Sequence, residues 1–404
     1  MTYCRAALAL SLALSLALGT TAPATAQAPS LLVSGYTSGQ VHAFDAAGDA
    51  LAPLGAADGA QSMRYGPDGH LYVCAEEQDA VLRFDGQTGA PLGPFVWDDP
   101  LTPNDESGGL RTPTAAVFGP DGMLYVASFI DDAVLRYDGA TGAYVDDFIP
   151  SGTGAINGPD AGMDFGPDGH LYIPSFNNHR ILRYHGKTGA PLGAFAPVSQ
   201  LVLSRPRCLR WRGDGLLYVT SWGNNRINRY DLDGQLVDVF ATVTRPTGIA
   251  FGPDGHVYVA SDSTDRVSRF DGESGAPLGV VVEGAANGVD GATYVEWFPN
   301  PDLRMHQPWP RVAGQDNVFE VSNATPGGLV WIGAGVATTS LPFGCPGNWL
   351  GVSAPVVVPV IADGSGRFET TLAMGAGSAG ATLVLQAYDS TGACLSNLVA
   401  SSFD

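Results

Sequence analysis

A short phrase that returns six times decides what this chain can fold into. It is a β-branched residue or leucine, a variable residue, arginine, an aromatic and aspartate, followed most often by glycine. Copies stand at 41–45, 81–85, 134–138, 181–185, 227–231 and 267–271, the first with Ala43 for arginine and the fourth ending in His185. A second phrase precedes most of them: aromatic-Gly-Pro-Asp-Gly, then Leu-Tyr-Val or a near variant. It appears at 65–73, 118–126, 165–173 and 251–259, with a looser copy at 211–219. Self-similarity at this spacing means a repeat architecture in which each unit buries its apolar face against its neighbours.

Each unit reads as four antiparallel strands. The residues before Gly-Pro-Asp-Gly alternate small and apolar side chains, as an inner strand should. Pro-Asp-Gly is a tight turn, because proline presets φ and glycine accepts φ > 0. Leu-Tyr-Val is then the second strand and the arginine phrase the third. Asp-Gly-x-Thr-Gly turns the chain again, and Ala-Pro-Leu-Gly makes a short outer strand where proline is tolerated. Such a unit is a propeller blade. The first unit opens at Leu31-Leu32-Val33, already in its second strand. After the sixth copy, residues 288–297 form an alternating strand with no blade of its own. That strand is expected to pair with 31–33, supplying the missing inner strand and hiding the edges of an open array.

Composition supports an all-β exported protein. The 404 residues include 53 glycines and 29 prolines, and only 15% are charged, which favours many short strands and turns. The net charge of −20 excludes a surface built for nucleic-acid phosphate. Residues 1–26 read as a secretory signal: Arg5, an apolar run over 6–18, and Ala24-Thr25-Ala26 before the cut. No later segment is apolar enough to span a membrane, so the expected location is secreted or periplasmic. Prolines 299, 301, 308 and 310 mark a linker over 299–315, after a propeller over 27–298. Short strands between glycine turns in 316–404 predict a small β-sandwich. In an oxidising compartment Cys345 and Cys394, sharing that small domain, are expected to form a disulfide. Cys74 and Cys208 lie in strands of different repeats and read as small buried hydrophobes.

The stretch 246–271, with Pro246-Thr247-Gly248-Ile249-Ala250-Phe251, then Val257-Tyr258-Val259-Ala260-Ser261-Asp262, Arg266-Val267 and Phe270-Asp271, resembles an NHL repeat, as does 224–231. The resemblance covers roughly 31–298. It implies a six-bladed β-propeller of the group that includes SMP-30-type lactonases and streptogramin lyases as well as binding modules. The lactonases hold Ca²⁺ or Mg²⁺ in the channel with oxygen ligands. On that resemblance Asp262 stands where a metal-binding acid would be, and Asn287-Gly288 is similar to a family Asn-Gly. Thr247 replaces the family's asparagine, and Glu76 is the only counterpart of its early glutamate, in a different blade.

In this fold, function collects on the face of the outer-to-inner and second-to-third-strand loops around the channel. The insertions at 96–111, 149–162 and 196–207 fall there. The second-to-third-strand loops carry Tyr36, Phe129, Phe176 and Trp222, with Asp131, Asp132, Asn177, Asn178, Asn224 and Asn225 nearby. Aromatic platforms beside amides and carboxylates suit a carbohydrate, whose CH faces stack and whose hydroxyls need hydrogen bonds from both sides. The same residues also suit blade packing and Asx turns. His70, His170 and His256 follow the Pro-Asp-Gly turn and belong to the opposite face, which argues against the histidine-dependent lyases. Arg83, Arg136, Arg183, Arg229 and Arg269 stand one per blade and are expected to pair with repeat aspartates. No Ser-His-Asp arrangement is apparent, so nothing requires an enzyme. The expected role is recognition of a glycan or surface protein on the loop face; the alternative is a Ca²⁺- or Mg²⁺-dependent hydrolase or lyase.

Overall fold

The computed structural model describes residues 31–298, apart from 46, 87, 99–105, 197–201, 213 and 253, and beyond them the strands lying between 304 and 402. Residues 31–298 form six four-stranded antiparallel sheets arranged as the blades of a propeller. Blade 2 shows the common pattern: inner strand Ala60–Tyr65, then Leu71–Ala75, Ala80–Phe84 and the outer strand Pro91–Val96. Blades 3 to 6 repeat it with inner strands Pro113–Phe118, Asp164–Phe165, Pro206–Trp211 and Pro246–Phe251.

Blade 1 closes the ring as the sequence predicts. Its inner strand, Ala292–Trp297, comes from the far end of the propeller and pairs antiparallel with Leu31–Gly35, with Leu31 opposite Trp297 and Val33 opposite Val295. The aromatic of the second phrase explains why this closure is specific. In blades 2 to 5 the tyrosine of Leu-Tyr-Val is buried between two rings, one from its own outer strand and one from the next blade's inner strand. Tyr72 stacks edge-on against Phe95 at 4.9 Å and Phe118 at 4.8 Å. Tyr125 does so with Phe148 and Phe165, Tyr172 with Phe195 and Trp211, and Tyr218 with Phe240 and Phe251. At the seam Trp297 packs on Tyr258 at 4.8 Å and 89°. Blade 6 therefore meets blade 1 through the same tyrosine-to-inner-strand contact that joins blades 2 to 6 in turn, with the edge-to-face geometry that aromatic quadrupoles favour.

The turn aspartate does two jobs. Asp68 accepts the His70 backbone N–H at 3.1 Å, shaping the turn, and the Tyr72 hydroxyl at 2.8 Å, fixing the buried ring. Asp121, Asp168, Asp214 and Asp254 hold Tyr125, Tyr172, Tyr218 and Tyr258 at 2.7–2.9 Å in the same way. The glycine after the third-strand aspartate has a steric reason, since a Cβ on Gly86 would lie 1.6 Å from the Gly69 carbonyl oxygen. The five register arginines pair with aspartates as expected: Arg83 with Asp68, Arg183 with Asp168, Arg269 with Asp254, Arg136 with Asp146 and Arg229 with Asp238. These are local braces on the blade exterior, worth little individually. Cys74 and Cys208 are buried free thiols, also as expected.

Beyond the propeller, Arg304–Met305, Asp316–Ser322 and Phe368–Ala373 form one sheet. Leu329–Val336 and Thr382–Asp389 anchor a five-stranded second sheet, and Leu341–Pro342 pairs with Trp349–Leu350. The chain is thus all-β throughout these strands. The sandwich packing expected of them depends on side chains outside the described residues. The signal segment 1–26 and both side chains of the expected Cys345–Cys394 disulfide likewise lie outside the described residues.

Candidate functional site

Two concentric rings of side chains crown the channel on the loop face. The outer ring is the first residue after each second strand: Tyr36, Glu76, Phe129, Phe176, Trp222 and Asp262. The inner ring is the second residue of the inner-strand motif, next to the proline or alanine that pairs with the end of the second strand: Thr293, Gln61, Thr114, Asp160, Arg207 and Thr247. Most of these residues line one cavity of about 470 Å³ at the channel mouth.

The inner ring divides into structure and chemistry. Its three threonines lace neighbouring blades: Thr114 donates to the Pro159 carbonyl at 2.7 Å, Thr247 to Ala292 at 2.9 Å and Thr293 to Ala60 at 2.6 Å. The other three positions hold an ionic network spanning the channel. Arg207 Nε donates to Asp160 Oδ2 at 3.1 Å, and its Nη2 to Asp160 Oδ1 at 3.3 Å. Its Nη1 donates to Asp262 Oδ2 at 2.9 Å, and Nη2 also reaches Gln61 Oε1 at 3.3 Å. Gln61 then donates from Nε2 to Glu76 Oε2 at 2.5 Å, and the Tyr36 hydroxyl lies 3.5 Å from the other Glu76 oxygen. Gln61 thereby links the guanidinium to a carboxylate with its amide orientation set by both partners.

Electrostatics follow from burial. Burial raises the Asp160 carboxyl above its ordinary range, with Arg207 pulling the other way. Burial likewise raises Glu76, against the hydrogen bond from Gln61. For Arg207, burial works to lower the guanidinium, but Asp160 and Asp262 prevail and raise it. Deeper along the same strands, Arg210 pairs with Glu296 at 3.2 Å and Arg64 with Asp164 at 3.6 Å. Each pair joins blades that are not adjacent, so these contacts cross the channel and fill it below the mouth.

Of the residues singled out in the sequence, Tyr36, Phe129, Phe176 and Asp262 line the cavity. Trp222 stands behind it. Its indole N–H donates to Asp262 at 3.0 Å, its ring lies 5.8 Å from Phe176, and Arg245 and Arg205 stack over it at 4.6 and 5.5 Å. Asn177 and Asn224 act as loop staples, donating to Asn157 Oδ1 at 2.9 Å and the Val202 carbonyl at 3.1 Å. The last residue of each top loop from blade 2 to blade 6, Asp79, Asp132, His179, Asn225 or Asp265, has positive φ. Each accepts a backbone N–H from the next blade's entering loop, at 2.6–2.9 Å. The Asx turn-and-packing role thus claims much of the polar pattern. Gln61, Asp160 and Arg207 are additions the sequence reading did not make, and Glu76, noted there only as a family glutamate in a different blade, joins them at the cavity; their register position after the inner-strand proline or alanine, or after the second strand, is the signal that would have found them.

The divalent cation implied by the resemblance can be tested against these side chains. Asp262 is committed to Arg207 and Trp222, and a guanidinium already lies where the oxygen donors of blades 2, 4 and 6 meet. Asn287 ends the one-turn helix Gly284–Asn287 and is not among the cavity walls. Among the described residues no three His, Cys, Asp or Glu side chains gather closely enough to hold a metal ion. The residues as they stand do not fit a resident cation.

No family model and no curated protein matches the chain. Solved structures do. A chain of the nidogen/laminin complex aligns with 14% identity over 66% of this chain and 97% of its own length, at a TM-score of 0.54. A protein of unknown function from Bacteroides caccae aligns with 12% identity over 67% and 99%, at 0.50. A streptogramin B lyase aligns with 15% identity over 65% and 78%, at 0.40. At these identities the first two likenesses are of fold alone, and they agree with the six closed blades: the chain carries a six-bladed β-propeller.

Proposed function

We propose that this chain is an exported recognition protein that binds a glycan in the cavity at the channel mouth. The observation that carries the reading is the make-up of that cavity. Tyr36, Phe129 and Phe176 give it aromatic walls, and a polar floor of Gln61, Glu76, Asp160, Arg207 and Asp262 is already held in place by mutual bonds. Aromatic faces suit the CH surfaces of a sugar ring, and fixed donors and acceptors suit its hydroxyls without a cost of ordering them on binding. The engagement of Asp160 and Asp262 by Arg207 favours binding over chemistry, because a general base must be able to accept a proton from a substrate.

A glycan array read with the full chain tests the proposal. Phe129→Ala and Phe176→Ala are each expected to weaken the binding of a hit about tenfold, or about 1.4 kcal/mol. A silent array together with chelator-sensitive turnover in a lactone and lyase screen would replace this reading with the hydrolase or lyase alternative. Silence in both would point to a protein surface as the occupant.

A further inference from the structure

We propose that Arg207 is a tethered cation: its guanidinium takes the place of a divalent ion among oxygen donors of three blades and makes the channel mouth independent of metal. The argument begins with the inner ring. Six equivalent positions face the mouth, and three carry threonines that only lace the blades together. Of the remaining three, Asp160 and Gln61 direct oxygens at Arg207, and Asp262 adds another from the outer ring. Donors from blades 2, 4 and 6 thus converge on one positive centre supplied by blade 5. Two carboxylates and an amide oxygen are hard donors of the kind that surround Ca²⁺. Glu76, bonded to the same Gln61, is a third carboxylate beside them.

A guanidinium can do this work because it presents five N–H groups in a fixed plane. Four are used in the contacts to Asp160, Gln61 and Asp262, leaving one Nη1 hydrogen for the cavity. Burial matters as well: Arg207 and Asp160 side chains are 12% and 5% exposed. Their pairing is therefore not the weak, screened contact of a surface salt bridge. Deleting the cation leaves three carboxylates repelling one another at the mouth, at a large cost. An ion tethered by a covalent chain is not lost to dilution or chelation. The position concerned is that of the glycan-binding reading, but the measurements below involve no glycan, so either proposal can fail alone.

The test uses Ca²⁺, and Tb³⁺ as its luminescent substitute, with Trp222 beside Asp262 as the sensitising ring. Wild-type protein is expected to melt at the same temperature in excess Ca²⁺ and in chelator, with no stoichiometric Tb³⁺ emission that Asp262→Asn removes. Arg207→Ala is expected to melt lower in chelator, to recover on adding Ca²⁺, and to bind Ca²⁺ at least about tenfold more tightly than wild type. The double variant Arg207→Ala with Asp262→Asn should lose that response, which separates the mouth from the many surface acids. Arg207→Lys keeps a positive charge and should stay indifferent to Ca²⁺. Arg207→Gln fills more of the volume and replaces the alanine variant should that one fail to fold. Stoichiometric Ca²⁺ binding by wild type that depends on Asp262 would overturn the proposal. So would a folded Arg207→Ala or Arg207→Gln that shows no more affinity for Ca²⁺ than wild type.

Discussion

Truncating Trp297 to alanine tests the closure of the ring at its seam. The indole belongs to the strand that returns from the end of the propeller, and it packs edge-on against Tyr258 at 4.8 Å. A ring of this size takes about 150 Å² out of water when well packed. At about 25 cal/mol per Å² that is about 3–4 kcal/mol, and large-to-small changes of Trp in packed sites cost about 3–5 kcal/mol. Because Trp297 is only partly buried, about 3 kcal/mol is the expected loss, a fall of about 6 °C in the propeller transition for a unit of this size. The control is Trp211→Ala, which removes the equivalent ring between blades 4 and 5, packed on Tyr172 at 5.3 Å. Differential scanning calorimetry on both variants in the full chain gives the answer. If the seam is an ordinary blade junction, the two losses agree to within about 1 kcal/mol. A loss below about 1 kcal/mol for Trp297→Ala beside a full loss for Trp211→Ala would refute closure by this strand.

Glu76 and Asp160 both have carboxyls raised chiefly by burial, so the native state holds extra protons and loses stability as pH rises from roughly 4, the unfolded value, through the raised ones. Glu76→Gln should therefore gain stability relative to wild type as pH goes from 4 to 7, and a gap in Tm that fails to widen over that range would count against the burial argument. Asp265→Ala takes the acceptor from the Gly291 N–H and puts a Cβ-bearing residue without a polar side chain at φ 53°, so a loss of about 1–2 kcal/mol is expected. Faster hydrogen exchange at Gly291 would confirm it, and unchanged protection would refute the role of this hydrogen bond. Burial pushes the Cys74 thiol up to about 12 and also raises Cys208, so peptide mapping after iodoacetamide treatment at pH 8 should find both unmodified in folded protein. In the same map Cys345 and Cys394 are expected as one linked peptide pair; two alkylated thiols there would dispose of that disulfide.

The blades were legible because each repeat states its whole local logic within a few residues. Asp68 and Tyr72 are four positions apart, and one aspartate explains both the turn and the buried hydroxyl. The aromatic before each turn even marks the closing strand, through Trp297. The mouth was harder to read because its chemistry is not local. Arg207 and Gln61 are 146 residues apart, and neither departs from a plausible strand residue when taken alone. Glu76 occupies the same register as Tyr36, Trp222 and Asp262, but in its own blade it looked like a misplaced family residue. The asparagines misled in the other direction. Asn177 and Asn224 share the site's composition, yet their amides are spent on Asn157 and Val202, because a loop entering the next blade has backbone groups to satisfy before any ligand arrives.

The left-handed residues that end the top loops have a consequence for how this surface can change. Each holds a backbone N–H of the following blade's entering loop: Asp79 holds Thr112, Asp132 holds Gly158 and His179 holds Arg205. The three long insertions, 96–111, 149–162 and 196–207, each begin upstream of one of these anchored residues. A segment there is clamped at its exit, so added or deleted sequence alters what is displayed above the mouth while the next inner strand still starts from the same fixed point. Variation is thereby uncoupled from folding. The propeller behaves as a mount with interchangeable fittings, and libraries inserted ahead of Thr112 or Arg205 would diversify the rim and leave the ion-paired channel beneath it undisturbed.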